Sequence, residues 1–305
     1  MRNLAVLVLG LLSFIGVNAQ SVIDASEIIE KINNGQDVIY ENVIIEGDLD
    51  FTQVDNLLYA DLNLDRYVIS DLDDMYDRTS DNYYVEIDSK IEFINCEFEG
   101  VVTGYRVDEE ENRIYNAKFN NTVSFGGCTF TADVNFKYSL FEEETEMEYS
   151  ILEAVSNFKY AQFNSIINFS GTDFYSYSNF SSARFNGLAV FQKTNFNKKA
   201  LFGQANFAKA VYFTGTTFTE RALFTYAKFK EAVFSNARFD SDGVFSYATF
   251  KESAKFTNAK FNDKAEFQNA KLNDIDLEGT TFNMLPDFKN TLVNKSNLFS
   301  YILKN

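Results

Sequence analysis

The chain has 305 residues, 46% of them apolar and 23% charged, with 33 Phe, one Pro and no His or Trp. The apolar content excludes a disordered chain, and the absence of histidine excludes histidine-based acid–base catalysis and the usual zinc sites. The formal charge of −17 sits at one end: residues 20–118 hold 25 Asp/Glu against 7 Lys/Arg, whereas 119–305 hold 19 of each, so no basic surface for a nucleic-acid backbone is expected.

In chain order, Met1-Arg2-Asn3 is a short positive start, Leu4 to Val17 is an apolar run, and Val17-Asn18-Ala19 is a small-x-Ala cleavage site. Together they predict a signal peptide over 1–19. The run is short for a membrane span, so the mature chain is expected to be exported, periplasmic or extracellular, and not membrane-spanning. Asp24-Ala25-Ser26-Glu27 resembles a capping box ahead of Ile28, Ile29 and Ile32, and Asn33-Asn34-Gly35 is a stop signal, which predicts a short amphipathic helix. Val38–Ile45 reads as strand. Residues 60–90 carry Asp61, Asp65, Asp71, Asp73, Asp74, Asp77 and Asp81 and no regular pattern. Residues 20–90 are therefore an acidic N-terminal cap with irregular first coils.

From Phe119 to Phe282 an apolar residue recurs every five or six positions, 31 times, and 27 of these are Phe. The steps alternate five and six and slip to consecutive fives only near Phe234 and Leu277. Two residues earlier stands a small residue, most often Ala, as at Ala161, Ala183, Ala205, Ala227, Ala248 and Ala270. No helix has this period, and an amphipathic strand would alternate for longer before turning. Short strands joined by tight corners fit. If Phe98 and Ile114 are consecutive steps, the gap holds a ten-residue insertion, expected as a hairpin at about 100–113 with arms Val101–Val107 and Arg113–Tyr115. Residues 91–288 form the repeat domain, and 289–305, with the apolar Leu298–Leu303, the C-terminal cap.

The copies Ala205-Asn206-Phe207, Ala227-Lys228-Phe229, Ala259-Lys260-Phe261 and Ala183-Arg184-Phe185 resemble the pentapeptide-repeat pattern A-[DN]-[LF]-x-x. The resemblance covers at least 117–282 and extends to Ile91-Glu92-Phe93 and Cys96-Glu97-Phe98. It implies an all-β fold, a right-handed quadrilateral parallel β-helix with the central Phe and the small residue both pointing inward and four repeats per coil. The 31 positions then make nearly eight coils, a rod on the order of 37 Å long at about 4.8 Å per stacked strand. Both exposed ends need caps.

Four steps per coil bring two features into line. Cys96 and Cys128 stack in neighbouring coils about 4.8 Å apart, inside the disulfide range; they are a candidate disulfide or two small core residues. The residue two after the ladder Phe is expected to face solvent, so Tyr138, Tyr160, Tyr226 and Tyr247 line one face and form a candidate interaction surface for a protein or glycan. Asp61-Leu62-Asn63-Leu64-Asp65 begins like a calcium loop, but Arg66 takes the place of the required Gly and no Glu closes it; Asp71, Asp73, Asp74 and Asp77 are the other acidic candidates, and a solvated acidic face is the expectation. No catalytic residue, cofactor or metal is expected. Parallel β-helices that cleave pectin use clustered acids, and 156–282 shows no recurrent acidic pair.

The function expected is an exported, non-enzymatic structural or interaction scaffold. A carbohydrate or cell-surface binder working through the tyrosine face is the alternative. The resemblance also brings in DNA-mimicking inhibitors of DNA gyrase, which the signal peptide and the neutral charge of 119–305 disfavour. N-terminal sequencing of the protein purified from its native cell should begin at Gln20; retention of Met1 would rule the leader out.

Overall fold

A computed structural model describes residues 20–59 and 81–297. The expected signal peptide 1–19, the acidic candidates Asp61, Asp65, Asp71, Asp73, Asp74 and Asp77, and the Leu298–Leu303 tail lie outside the described residues.

The architecture is a parallel β-solenoid of about eleven turns, eleven strands deep on one face. One coil shows how the sequence makes it. Two-residue strands at Asp173–Phe174, Ser178–Asn179, Arg184–Phe185 and Ala189–Val190 form four faces, called first to fourth below. Each pairs in parallel with its counterpart in the next coil, Phe174 with Phe196, Asn179 with Leu201, Phe185 with Phe207 and Val190 with Tyr212. Backbone groups are satisfied between coils, so the chain needs no long strand.

The ladder side chains fill the tube. Every ladder residue from Phe119 to Leu272 is buried, and only Leu277 and Phe282, at the C-terminal end, are partly covered. Rings stack along the axis: Phe174 on Phe196 and Phe180 on Phe202 at 4.9 Å, Phe185 on Phe207 at 4.5 Å, Phe191 on Phe213 at 4.9 Å, all within 9° of parallel. Across the tube they meet edge to face, Phe180 against Phe191 at 5.6 Å and 84°. Both arrangements suit the aromatic quadrupole. The small residue stands beside each ring because a second large group would overfill the section.

Corners explain the five–six alternation. The five-residue steps turn through a left-handed residue, at Ser182 (φ 58°) between the second and third faces and Lys193 (φ 56°) between the fourth and first, and the same columns hold Asn236, Asn258, Asn269 and Gly171, Gly215 and Gly279. Asn and Gly tolerate this region best. Between the third and fourth faces, Asn206–Tyr212, Lys228–Val233, Thr249–Lys255 and Lys271–Asp276 continue as single strands around the corner. The missing residues near Phe234 and Leu277 are absorbed there as register shifts.

The solenoid begins earlier than residue 91. Ser21–Asp24 pairs with Val43–Glu46, and Val43–Glu46 with Glu97–Phe98, all in parallel on the first face. Helix α1, Ala25–Asn33, packs Ala25, Ile28 and Ile32 against the first strands of three faces. The carboxylate of Asp24 accepts the N–H of Ser26 at 2.8 Å, and Gly35 at φ 68° closes the helix, with the N–H of Gln36 donating to the carbonyl of Lys31. At the other end Leu292–Val293 pairs with Lys271–Leu272 and folds back on Ser296–Asn297.

The insertion lies one face later than the ladder spacing implied. Val102–Thr103 is a coil strand paired with Val134–Asn135, so Gly104, and not Ile114, holds the rung of Phe136. The antiparallel hairpin is Tyr105–Asp108 against Arg113–Asn116. The N–H of Ala117 donates to the carbonyl of Gly104 at 2.7 Å, the corner bond that Ser139 makes to Phe136 in the next coil. Residues 105–116 therefore replace a two-residue corner. The rung went unseen because it has no side chain: a Cβ on Gly104 would fall 2.9 Å from the Phe136 ring. The buried Phe51 fills the space instead, its ring 5.1 Å from that of Phe119.

Phe202→Ala, in mid-ladder, should cost about 3–5 kcal/mol, read as a lower urea midpoint against the wild type.

Candidate functional site

The four candidate tyrosines occupy one corner column, between the second and third faces, and all four are left-handed, with φ of 60° to 62°. Their surroundings divide them into two pairs. Tyr138 and Tyr160 stack at 4.7 Å and 6° and are buried, 4% and 1% exposed. The hairpin springs from the same corner one coil earlier and packs Tyr105 against the pair, 6.1 Å from Tyr138. The Lys137 ammonium sits over the rings of Tyr105 and Tyr138 at 5.0 and 5.2 Å, and that of Lys159 over Tyr160 at 5.2 Å. Such contacts gain strength where water is excluded. This corrects the expectation of a single tyrosine-lined surface: position along the repeat predicts an outward corner, but the Tyr138–Tyr160 pair is buried, with Tyr105 of the insertion packed against it.

Tyr226 and Tyr247 are the open pair. They stack at 4.8 Å and 14° and are 53% and 47% exposed. Gln204 precedes them in the column and Asn269 follows, so they form a platform two coils high. Three further exposed tyrosines among the described residues were missed, Tyr59, Tyr149 and Tyr175. Tyr149 occupies the other left-handed corner column, two residues after Met147, and the same repeat arithmetic applied to that corner finds it.

A second aromatic group lies where the hairpin joins the cap. Strand Leu57–Tyr59 pairs antiparallel with Asp81–Ile87, which pairs in parallel with Arg113–Phe119. This brings Tyr59 edge-on to Tyr83 at 5.6 Å and stacks Tyr83 on Tyr115 at 5.8 Å. Arg106 covers Tyr115 at 4.2 Å and Arg113 approaches Tyr83 at 5.5 Å. The group pins the hairpin to the cap.

Acidic groups near the cap are mostly engaged with neighbours. A cleft of about 380 Å³ beside the end of α1 is lined in part by Asp37, Asp55, Glu86 and Asp88. Asp37 accepts the N–H of Lys90 at 2.9 Å, Glu86 pairs with Lys118 at 2.7 Å, and Asp88 accepts from Asn120 at 2.7 Å. Glu146 is held above the usual carboxylate range by burial and by Glu144 and Glu148. Among the described residues no group of three or more Cys, Asp or Glu is arranged to hold a metal ion.

Cys96 and Cys128 are free thiols here, 2% and 0% exposed. They belong to an inward column that continues as Ser150, Thr172, Thr194 and Thr216. Each hydroxyl in it donates to a ladder carbonyl one coil back, Thr172 to Met147 at 2.5 Å and Thr194 to Phe169 at 2.7 Å. The thiols make the equivalent contacts, Cys96 to the carbonyl of Tyr40 at 3.6 Å and Cys128 to that of Phe93 at 3.4 Å. A hydrogen bond with Cys128 lowers the Cys96 thiol to about 7, and the same bond, with burial, pushes Cys128 up.

Residues 202–249 and 245–292 match the family described as pentapeptide repeats (9 copies). Among solved structures the chain is similar to HetL, a pentapeptide repeat protein involved in heterocyst differentiation regulation from the cyanobacterium Nostoc sp. strain PCC 7120. The identity is 11% and the TM-score 0.31, over 90% of this chain and 98% of that one. No protein of curated function matches.

The two tyrosine pairs should respond differently to truncation. Tyr160→Ala should cost about 3 kcal/mol or more, as for other buried aromatics, and Tyr226→Ala only about 0.5–1.5 kcal/mol of stacking. Urea denaturation of the two variants measures the difference.

Proposed function

The chain belongs to the pentapeptide-repeat proteins, and on that premise we propose that it is an exported, non-enzymatic scaffold that presents its outer faces to a protein or glycan partner. The observation that carries this is where the repeated information lies. The ladder ring and the small residue recur inward, coil after coil, whereas the outward residues beside them change. On the first face the residue before the ladder Phe runs Asp173, Asn195, Thr217, Arg238, Lys260. A chain selected for one repeated reaction centre would repeat it outward. Export is supported by Met1–Ala19, and the neutral balance of 119–305 speaks against an imitation of the DNA duplex.

Within this function, the Tyr226–Tyr247 platform favours a glycan or an apolar protein edge as the ligand. Stacked, half-exposed rings offer an apolar surface that requires little ordering on binding, since the stack already holds them. A glycan array probed with the wild type and with the double variant Tyr226→Ala, Tyr247→Ala tests it. Two rings contributing roughly 0.7 kcal/mol each predict about a tenfold weaker signal in the variant. An unchanged array pattern would exclude the platform, and a tagged full-length chain recovered from the cytoplasm would exclude export.

A further inference from the structure

The chain has two cysteines, and they occupy consecutive rungs of one inward column. Thr129 pairs with Glu97 in parallel register, and the N–H of Thr129 donates to the carbonyl of Cys96 at 2.9 Å. Cys96 and Cys128 are therefore stacked neighbours, one strand spacing apart, about 4.8 Å between Cα atoms, within the span that a disulfide bridges. In the next four coils the site is filled by Ser150, Thr172, Thr194 and Thr216, whose hydroxyls satisfy a ladder carbonyl with no redox chemistry, and then by Ala237 and Ala259. Packing therefore does not require sulfur at these two rungs.

We propose that Cys96 and Cys128 are a redox latch, a dithiol that an external disulfide oxidises to an intramolecular disulfide joining the hairpin-bearing coil to the next. The sulfur of Cys96, as thiolate, attacks one sulfur of the oxidant R–S–S–R. It forms a mixed disulfide and expels R–S⁻, which takes up the proton that Cys96 released. The Cys128 thiol then gives up its proton and attacks the Cys96 sulfur, and the second R–S⁻ leaves as a thiol. Two protein thiols and one disulfide become one protein disulfide and two small thiols.

Position decides which cysteine reacts first. A solenoid holds each coil by its neighbours alone and frays from its ends. Cys96 stands one coil inside Val43, and its thiol contacts the carbonyl of Tyr40 in Val38–Glu41, the end strand of the fourth face. Opening of the cap uncovers Cys96 while Cys128 is still enclosed by the coil of Phe93. The low thiol of Cys96 matches that order of attack. The closed loop, 96–128, contains the whole hairpin at 105–116, so oxidation halts fraying at the coil whose Tyr105 packs against Tyr138 and Tyr160.

The test uses the mature chain, reduced and then treated with oxidised glutathione, with thiols counted by alkylation after unfolding and by intact mass. The expected result is two alkylatable thiols before treatment and none after, with a mass lower by two hydrogens and a melting temperature several degrees higher. Cys128→Thr, which restores the hydroxyl used elsewhere in the column, should instead keep one glutathione adduct on Cys96 and show no rise in melting temperature. Two thiols surviving oxidation in the wild type would overturn the latch, as would an adduct on Cys96 that Cys128 never displaces. The wild-type mass decides the matter even if the variant does not fold.

Discussion

The fit of one ring and one small side chain into the cross-section of a narrow tube is the constraint on which the rest depends. A coil of four short strands leaves room for four ladder side chains and little else. Phenylalanine meets that limit with flat rings that stack along the axis, from 4.5 Å for Phe185 on Phe207 to 5.3 Å for Phe163 on Phe185 in mid-ladder, close to the spacing of parallel strands. The backbone bonds between coils and the ring stacks therefore share one repeat distance, and neither strains the other. Each buried ring contributes roughly 1.5–3 kcal/mol, which lets two-residue strands hold together where an isolated hairpin would not.

Secondary features answer to the same constraint. Corners must turn in two residues, so they draw on the left-handed region and on Asn and Gly. Tyrosine at such a corner is less favourable alone, and in both pairs it leans on its neighbour one coil away. Inward hydroxyls supply a further bond to carbonyls that lie between coils. Outside, Asn164, Asn186 and Glu142 bond in a line from coil to coil, at 2.6 and 2.7 Å, an amide ladder of the kind that reinforces stacked parallel strands. Surface ion pairs such as Lys198–Glu220 are exposed and add little.

Departures from regularity gather in the first 128 residues, together with the acidic charge of 20–118. There the chain places its helix, its hairpin, its Tyr–Arg cluster and both cysteines. Since coils depend only on their neighbours, this end can vary without disturbing the tube below it. A scaffold of this kind carries specific chemistry at its less repeated parts, while the repeat supplies length and rigidity.

The sequence by itself determined the class of fold, the inward ladder from Phe119 to Phe282, the short helix and the alignment of Cys96 with Cys128. All of these follow from a period that survives in a one-dimensional string, because a parallel coil repeats its spacing in every turn. What only the tertiary structure decided was set by contacts between segments far apart in the chain. Gly104 is a ladder rung because Phe51 supplies its ring, and no spacing near residue 104 reveals a substitute drawn from another coil. The tyrosines share one column and one backbone conformation, yet Tyr138 and Tyr160 are buried and Tyr226 and Tyr247 are open. The first pair has Tyr105 of the hairpin packed against it, and the path of that hairpin depends on its own packing, through Tyr105, Tyr115 and Arg106, and not on the repeat.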